Sequence, residues 1–513
     1  MSVLFGIVRP AGRMERPGDE NTRCFRKSRE IEAESDSTWK GEGRKRAEMR
    51  KILSLFPCLL LLGFPPQGPG RADSRPLVRV KGVQPGATLL LEGGLRIRLL
   101  GLEFPSPEWA KKALEPLVGR EFRWQEEEVD VDRPKLRRGL LFRKKAEDSV
   151  NAELLEQGLA WFRLRSGRDK AFPSLRMALF RARGAKKGIW NKVPMARGNP
   201  PFFRGGVLGL YYKESRLDYH KQLRRIRDIG ADWALLLLTV FVPKVDSSRI
   251  VKDPNRTVQD ARLKETIRYA KGLGLKVALM PIVLIKESDN DEDWRGTLRP
   301  KDPIRFWLDY DKQLCHYADV ARESGVELLF IGSELCSLEE KYPKAWPRII
   351  ANLRGRYGGW LSYSVNWDHY DVPRFWGLLD CVGLTAYFEL TENKKASLQE
   401  LVEGWKKVRK ELEGVSKALE RPVFLTELGY PSQEGANTAP WNYLLAKDKP
   451  DPEEQARCFE AFAKVMKDAK FLQGAFIFDF FEEGGSEDTT YALWGKRAWW
   501  VVRDLFRDWA KQR

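Results

Sequence analysis

Histidine is nearly missing from this 513-residue chain, which has three, and cysteine is sparse at six. Cys24 and Cys58 lie ahead of the expected mature start; Cys315, Cys336, Cys381 and Cys458 are widely scattered, and none has metal-ligand spacing. A zinc centre needs four such ligands drawn from short intervals, so the composition argues against one, and no metal or other cofactor is implied. Disulfides cannot be paired from these positions. A long apolar run is missing too: the stretch around Leu59–Leu62 is too short to cross a bilayer, and no membrane span is expected in the mature chain. Acidic residues are outnumbered, for a net charge of +18, and residues 75–195 hold 26 Lys and Arg against 15 Asp and Glu, a surplus of 11. That basic segment fits either an anionic polymer or nucleic acid as partner, or a solvated surface in a basic protein.

What is present describes a folded protein. Hydrophobic residues make up 42% and aromatics 11%, which excludes extended disorder, and the length suffices for two cores. The 18 Trp serve cores in most proteins, but flat aromatic faces also suit sugar rings.

Along the chain, residues 1–48 are polar and aperiodic, as in a disordered tail or an extension upstream of a true start at Met49. Residues 49–72 combine a basic start, a short apolar run, Gly and Pro breakers and a small-residue exit, the pattern of a signal peptide, so a secreted or periplasmic product is expected. In 73–195, strand-like runs at 77–81, 88–91, 95–102, 121–128 and 139–143 are interspersed with helical patterns at 107–117, 150–158 and 173–185. That is the content of a small five-stranded OB-type β-barrel with helices. Residues 196–204, with Gly198-Asn-Pro-Pro201, read as a linker.

In this first unit, Gly86-Ala-Thr-Leu89, Arg96-Ile-Arg-Leu-Leu-Gly-Leu-Glu-Phe-Pro105, Asp132-Arg133 ahead of Arg138-Gly-Leu140, Val150-Asn-Ala-Glu-Leu-Leu-Glu-Gln-Gly-Leu159 and Lys187-Gly-Ile-Trp190 succeed one another. Their order resembles the motifs of the thermonuclease (staphylococcal nuclease-like) domain. The resemblance implies phosphodiester cleavage with carboxylate-held Ca²⁺, a Glu that activates water and two Arg on the phosphate. Arg98 and Arg138 match the Arg pair, and Glu103 stands where an Asp ligand is expected. Ala87 replaces the other Asp ligand and Ser106 the general base, which implies a degenerate, non-catalytic site. Such a site retains anion binding or serves structure alone.

Beyond residue 204 strands and amphipathic helices alternate, with strands at 206–212, 233–242, 276–285, 328–335, 360–367, 381–388, 422–430 and 474–480. Eight such units predict a (β/α)8 TIM barrel over 205–513. Its fourth strand, Leu328-Leu-Phe-Ile-Gly-Ser-Glu-Leu335, and its seventh, Pro422-Val-Phe-Leu-Thr-Glu-Leu-Gly-Tyr430, each end on a Glu. Strand ends converge on one mouth in such a barrel, so Glu334 and Glu427 can face each other, as the two carboxyls of a glycoside hydrolase must.

Ile331-Gly-Ser-Glu-Leu335 and Leu425-Thr-Glu-Leu-Gly-Tyr-Pro431 resemble clan A glycoside hydrolases, most closely family 113, whose known activity is on β-1,4-mannans. The resemblance implies Glu334 as acid/base, Glu427 as nucleophile, and Tyr387 as a phenol bonded to the nucleophile. Asn366, Trp367 and Asp368, with His369, crowd the end of the fifth strand as sugar contacts. Phe478, Asp479 and Phe480 stand on the eighth strand where the clan offers a Trp platform, with Phe480 taken as the substrate contact, and Trp441 lies in a loop after the seventh. Ser333 replaces the Asn that most members carry before the acid/base. The expected protein is a monomeric, secreted, retaining β-glycoside hydrolase acting on a mannan-like or related polysaccharide. Two alternatives stay open: a non-catalytic glycan- or anionic-polymer-binding protein, and a Ca²⁺-dependent nuclease.

Overall fold

Short strands punctuated by Gly-rich turns give way after residue 200 to long apolar strands and capped helices, and the chain builds a barrel from each pattern. The computed structural model describes residues 74–513 except 130–135, 145, 164–171, 192, 194–199, 212–217, 289, 291, 448 and 513. The expected extension 1–48, signal peptide 49–72, Asp132-Arg133 motif and first half of the linker lie outside the described residues.

The first barrel comprises β1 (Leu77–Gln84), β2 (Thr88–Leu91), β3 (Arg96–Leu99), β4 (Leu102–Glu103), α1 (Pro107–Leu114), β5 (Glu121–Val129), β6 (Leu136–Phe142), α2 (Val150–Glu156), β7 (Trp161–Phe162) and α3 (Phe172–Gly184). Five strands close in the order β1-β2-β3-β6-β5, as expected, and β4 pairs with β7 beside them. Val80, Leu89, Ile97, Phe122 and Leu141 fill the interior.

The second barrel comprises β8 (Phe203–Gly209), α4 (Tyr219–Asp228), β9 (Trp233–Val242), α5 (Asp260–Gly272), β10 (Lys276–Ile285), α6 (Pro303–Ser324), β11 (Leu328–Ser333), α7 (Cys336–Lys341), α8 (Trp346–Arg354), β12 (Trp360–Val365), β13 (Val382–Thr385), α9 (Leu398–Leu419), β14 (Val423–Leu428), α10 (Pro452–Met466), β15 (Leu472–Ile477) and α11 (Arg497–Gln512). All eight strands are parallel and close with β15 on β8. Helix boundaries follow local chemistry. Asp302 and Asp451 accept the third helical N–H of α6 and α10 with Pro next in sequence, Ser397 and Glu400 form a capping box on α9, and Gly325 ends α6 at φ +66°.

Residues on the two faces of each strand join separate cores. Leu236, Leu329, Ile331, Leu425 and Ile477 pack outward on the helices. Inward, Phe203 meets Phe424 at 4.5 Å and Trp233 at 5.0 Å between ring centroids, with Phe330 and Phe476 in the same cluster. This aromatic plug leaves only the C-terminal end of the barrel for polar side chains. Cys315, Cys336, Cys381 and Cys458 are buried free thiols. Among the described residues no helix is long and apolar enough to cross a membrane.

The two barrels share an interface. Glu103 of β4 is bridged by Arg163 at 3.1 Å and by Arg356 just after α8, while Arg163 also reaches Asp311 of α6 at 3.4 Å and Arg356 reaches Asp319 at 2.7 Å. Arg183 of α3 donates to the carbonyls of Arg354 and Tyr357 at the end of α8. Arg356 is 5% exposed, whereas Glu103 at 40% can rehydrate when its partner goes. Replacing Arg356 with Ala should therefore lower stability by about 1–3 kcal/mol, less than a fully buried pair would lose. Urea denaturation of the full chain measures this, and an unchanged midpoint would mean that the strut contributes nothing.

Candidate active site

Both glutamates reach the mouth through a local irregularity. Along the β11–β12 pair, Phe330 faces Ser362 but Ser333 faces Ser364, one residue more on β11. Along β13–β14, Leu384 faces Leu425 and Thr385 faces Glu427, again one extra residue, Thr426. Such bulges bend a strand and re-aim side chains. Thr426 points inward to Ser364 at 2.6 Å, and Glu427, next along, also turns inward.

Glu334 carries a left-handed backbone, φ +51°, which a non-glycine residue adopts only at a cost of roughly 1–2 kcal/mol. Neighbouring bonds hold it there. Its N–H donates to Ser364 O at 2.8 Å, and the next N–H, Leu335, donates to the Tyr363 hydroxyl at 2.7 Å. Tyr363 in turn donates to Glu339, a carboxyl 1% exposed.

Glu334 and Glu427 are 4% and 3% exposed. Arg295, in the loop after β10 and itself buried, pairs with Glu334. Tyr387, beyond β13, donates to Glu427 at 2.7 Å. Burial pushes the Glu427 carboxyl up to about 7, the charge of Glu334 adds to this, and Arg295 and Tyr387 oppose it. Two carboxyls that act on each other titrate as a pair, so this marks the pair's hold on one shared proton. Tyr387 is flanked by Phe478 and Tyr491, ring centroids 6.2 and 6.1 Å away.

Of the other expected contacts, Asn366 Nδ2 donates to Asp368 at 2.9 Å, and the Trp367 N–H is held by Asn366 and by Thr385 of β13, so these three form one rim beside the sixth strand. Burial raises the Asp368 carboxyl. Trp441 is 40% exposed on the loop after β14, beside Pro440, whose carbonyl accepts from Tyr491. Phe480 is a correction: it faces the helix layer, its ring near Trp499 at 6.3 Å and against Gly206 and Ile226, away from the mouth. Ser333 Oγ is buried without a partner.

On the small barrel, the residues at the matching motif positions make other contacts. A cavity of about 340 Å³ is lined by Ala87, Arg98, Glu103, Ser106, Arg138 and Arg163. Burial would raise the Glu103 carboxyl, but Arg356 and Arg163, both on Oε2, hold it below its usual range. Ser106 caps α1 through the Trp109 N–H at 3.1 Å. Arg98 bonds Thr88 at 3.2 Å.

Residues 209–496, more than half of the chain, match the model of Glycoside Hydrolase Family 113. The chain belongs to glycoside hydrolase family 113. Residues 97–192 match the model of Staphylococcal nuclease homologue. Among solved structures, the family 113 β-mannanase of Alicyclobacillus acidocaldarius superposes with TM-score 0.54 at 27% identity, over 60% of this chain and 98% of that one. A family 113 β-1,4-mannanase solved as a complex superposes with TM-score 0.53 at 22% identity, over 60% and 99%. No curated protein matches the chain. This family member is thus a glycoside hydrolase. Sequence reasoning named the two glutamates and Tyr387 that meet here and placed Asp479 on the eighth strand, but missed Arg295, Tyr211 and Tyr491. Arg295 follows the end of β10 at Ile285 by ten residues, in a connection whose path no sequence pattern gives.

Two outcomes follow. Tyr363→Phe leaves the Leu335 N–H and Glu339 unmatched in the core, and should lower stability by about 1–3 kcal/mol. Burial also pushes Glu339 and Asp479 up to about 8 each. A carboxyl whose folded value is raised gives stability that is complete below its unfolded value and lost as pH rises through the folded one. The melting temperature should accordingly fall between about pH 5 and pH 8.5. Glu339→Gln should flatten that slope, and equal slopes for both proteins would show that Glu339 is not protonated in the fold.

Proposed function

We propose that the protein is a retaining hydrolase of a mannan-like or related β-linked polysaccharide, with Glu334 as acid/base and Glu427 as nucleophile. The observation carrying this is the pair of nearly buried carboxyls at the ends of the fourth and seventh barrel strands, one bonded to Arg295 and the other to Tyr387. The Tyr387 hydrogen bond favours Glu427 as a carboxylate. A glycosidic oxygen brings an acceptor with no proton of its own, and it draws the pair's shared proton to Glu334.

Glu427 then attacks the anomeric carbon while the C–O bond to the leaving sugar breaks and its oxygen takes the proton from Glu334. Arg295 stabilises the carboxylate so formed. In the second half, Glu334 removes a proton from water, the hydroxide attacks the same carbon, and the ester bond to Glu427 breaks, restoring both groups. Mannan is favoured as substrate by family membership and by the 27%-identical β-mannanase.

The test is hydrolysis of β-1,4-linked manno-, gluco- and xylo-oligosaccharides by the full chain, beside Glu334→Gln and Glu427→Gln. The expected outcome is cleavage with retained anomeric configuration that both variants lose by about 10³-fold or more. Its rate should fall on the alkaline side as the shared proton leaves, near the value of about 7 found at Glu427. Binding without cleavage anywhere on the panel would favour a glycan-binding protein instead. With Glu103 held by two arginines, Ca²⁺ should elicit no phosphodiester cleavage; cleavage lost on chelation would revive the nuclease reading.

A further inference from the structure

Two polar groups at the mouth have no part in the steps above. β15 runs on through Phe478, Asp479, Phe480 and Phe481 beside β8, with the Phe480 N–H donating to Val207 O at 2.9 Å. Tyr211 follows β8, and its ring folds back over Gly209, where a Cβ would stand 2.0 Å away. Only glycine permits that approach. The ring then packs edge-on against Phe481, centroids 5.0 Å apart. Asp479 and Tyr211 so meet at the seam between the eighth and first strands, 6% and 7% exposed. The Asp479 carboxyl is the charge acting most strongly on the Tyr211 phenol, followed by Glu427 and then Arg295. Tyr387, which donates to Glu427, stands 6.2 Å from Phe478 and 6.1 Å from Tyr491 between ring centroids, which sets this seam on the nucleophile's side of the mouth.

Asp479 Oδ1 accepts weakly from the Phe481 N–H at 3.4 Å. Among the described residues no protein group bonds Oδ2 of Asp479 or the hydroxyl of Tyr211, yet neither atom is sealed from solvent. Polar groups this deep are ordinarily matched. An acid and a phenol left open side by side, each able to donate and accept, match the hydroxyls of a sugar.

We propose that Asp479 and Tyr211 bind a hydroxyl of the sugar ring that Glu427 attacks. The inference rests on the glycosidase reading of Glu427. Burial, aided by Glu482, keeps the Asp479 carboxyl protonated up to about 8, so it presents a donor without adding a third negative charge.

The deciding variant is Tyr211→Phe, which keeps the ring on Phe481 and removes only a hydroxyl that no described protein group uses. The full chain is assayed on β-1,4-mannotetraose, β-1,4-glucotetraose and the 4-nitrophenyl β-mannoside and β-glucoside, beside Tyr211→Phe, Asp479→Asn and Asp479→Ala. Tyr211→Phe should lower kcat/KM by about tenfold or more with an unchanged melting temperature. Asp479→Asn should retain more activity than Asp479→Ala. Parent-like kcat/KM in Tyr211→Phe overturns the hydroxyl contact even if Asp479→Ala fails to fold, and the parent then remains a glycosidase. No cleavage by the parent on any probe overturns the proposed function and this inference together.

Discussion

Two carboxyls share a mouth where, among the described residues, one arginine faces them both. Glu334 and Glu427 are almost entirely withdrawn from water, and the aromatic plug of Phe203, Trp233, Phe424 and Phe476 below them makes the medium poorly polarisable. Two bare charges there would repel strongly, by several kcal/mol at an effective dielectric near 20. A single guanidinium offsets one charge, and a proton must offset the other. Among the described residues Arg295 is the cation that opposes this: burial and the charge of Glu334 raise the proton affinity of Glu427, and Arg295 and Tyr387 lower it.

The same constraint reads differently on the small barrel. There, Glu103 has two arginines where the second barrel's pair has one, and its charge is fixed well inside the ionised range. Arg163 and Arg356 both meet Oε2 of Glu103, and the strut so formed ties β4 to α6 and α8 of the neighbouring barrel. The small barrel is thereby a packed partner of the large one.

How far the sequence could be read follows from which physical signals are local. The eight strands were legible because both faces of each are buried, so they appear as continuous apolar runs between capped helices, and the two acids ending such runs stood out against them. Tyr387 and Phe480 came instead from the family resemblance. Phe480 shows where that stops: in Phe476-Ile-Phe-Asp-Phe-Phe481 both faces are apolar, so nothing in the pattern says which phenylalanines point inward, and one was misplaced. Arg295 sits in an irregular loop whose path is set by tertiary contacts. α7, α8 and α11 were not anticipated; α7 is six residues long and forms directly behind Glu334.

The bulges in β11 and β14 were equally invisible, yet they set the aim of both acids. An unbroken alternation would have sent Thr426 and Glu427 to opposite faces; the extra residue lets both point inward. At Glu334 the equivalent turn needs a left-handed backbone, so strain is stored at the residue with the most exacting geometry. Such a conformation persists only where its surroundings over-determine it. Ser364 and Tyr363, successive strand neighbours but two, grip the N–H groups of Glu334 and Leu335, and the neutral acid Glu339 anchors Tyr363 from behind. Burial raises the Glu339 carboxyl and the charge of Glu334 adds to this, while the Tyr363 hydrogen bond opposes it. The burial that raises its proton affinity is thus part of the same electrostatic account, carried from the mouth into the second layer of the barrel.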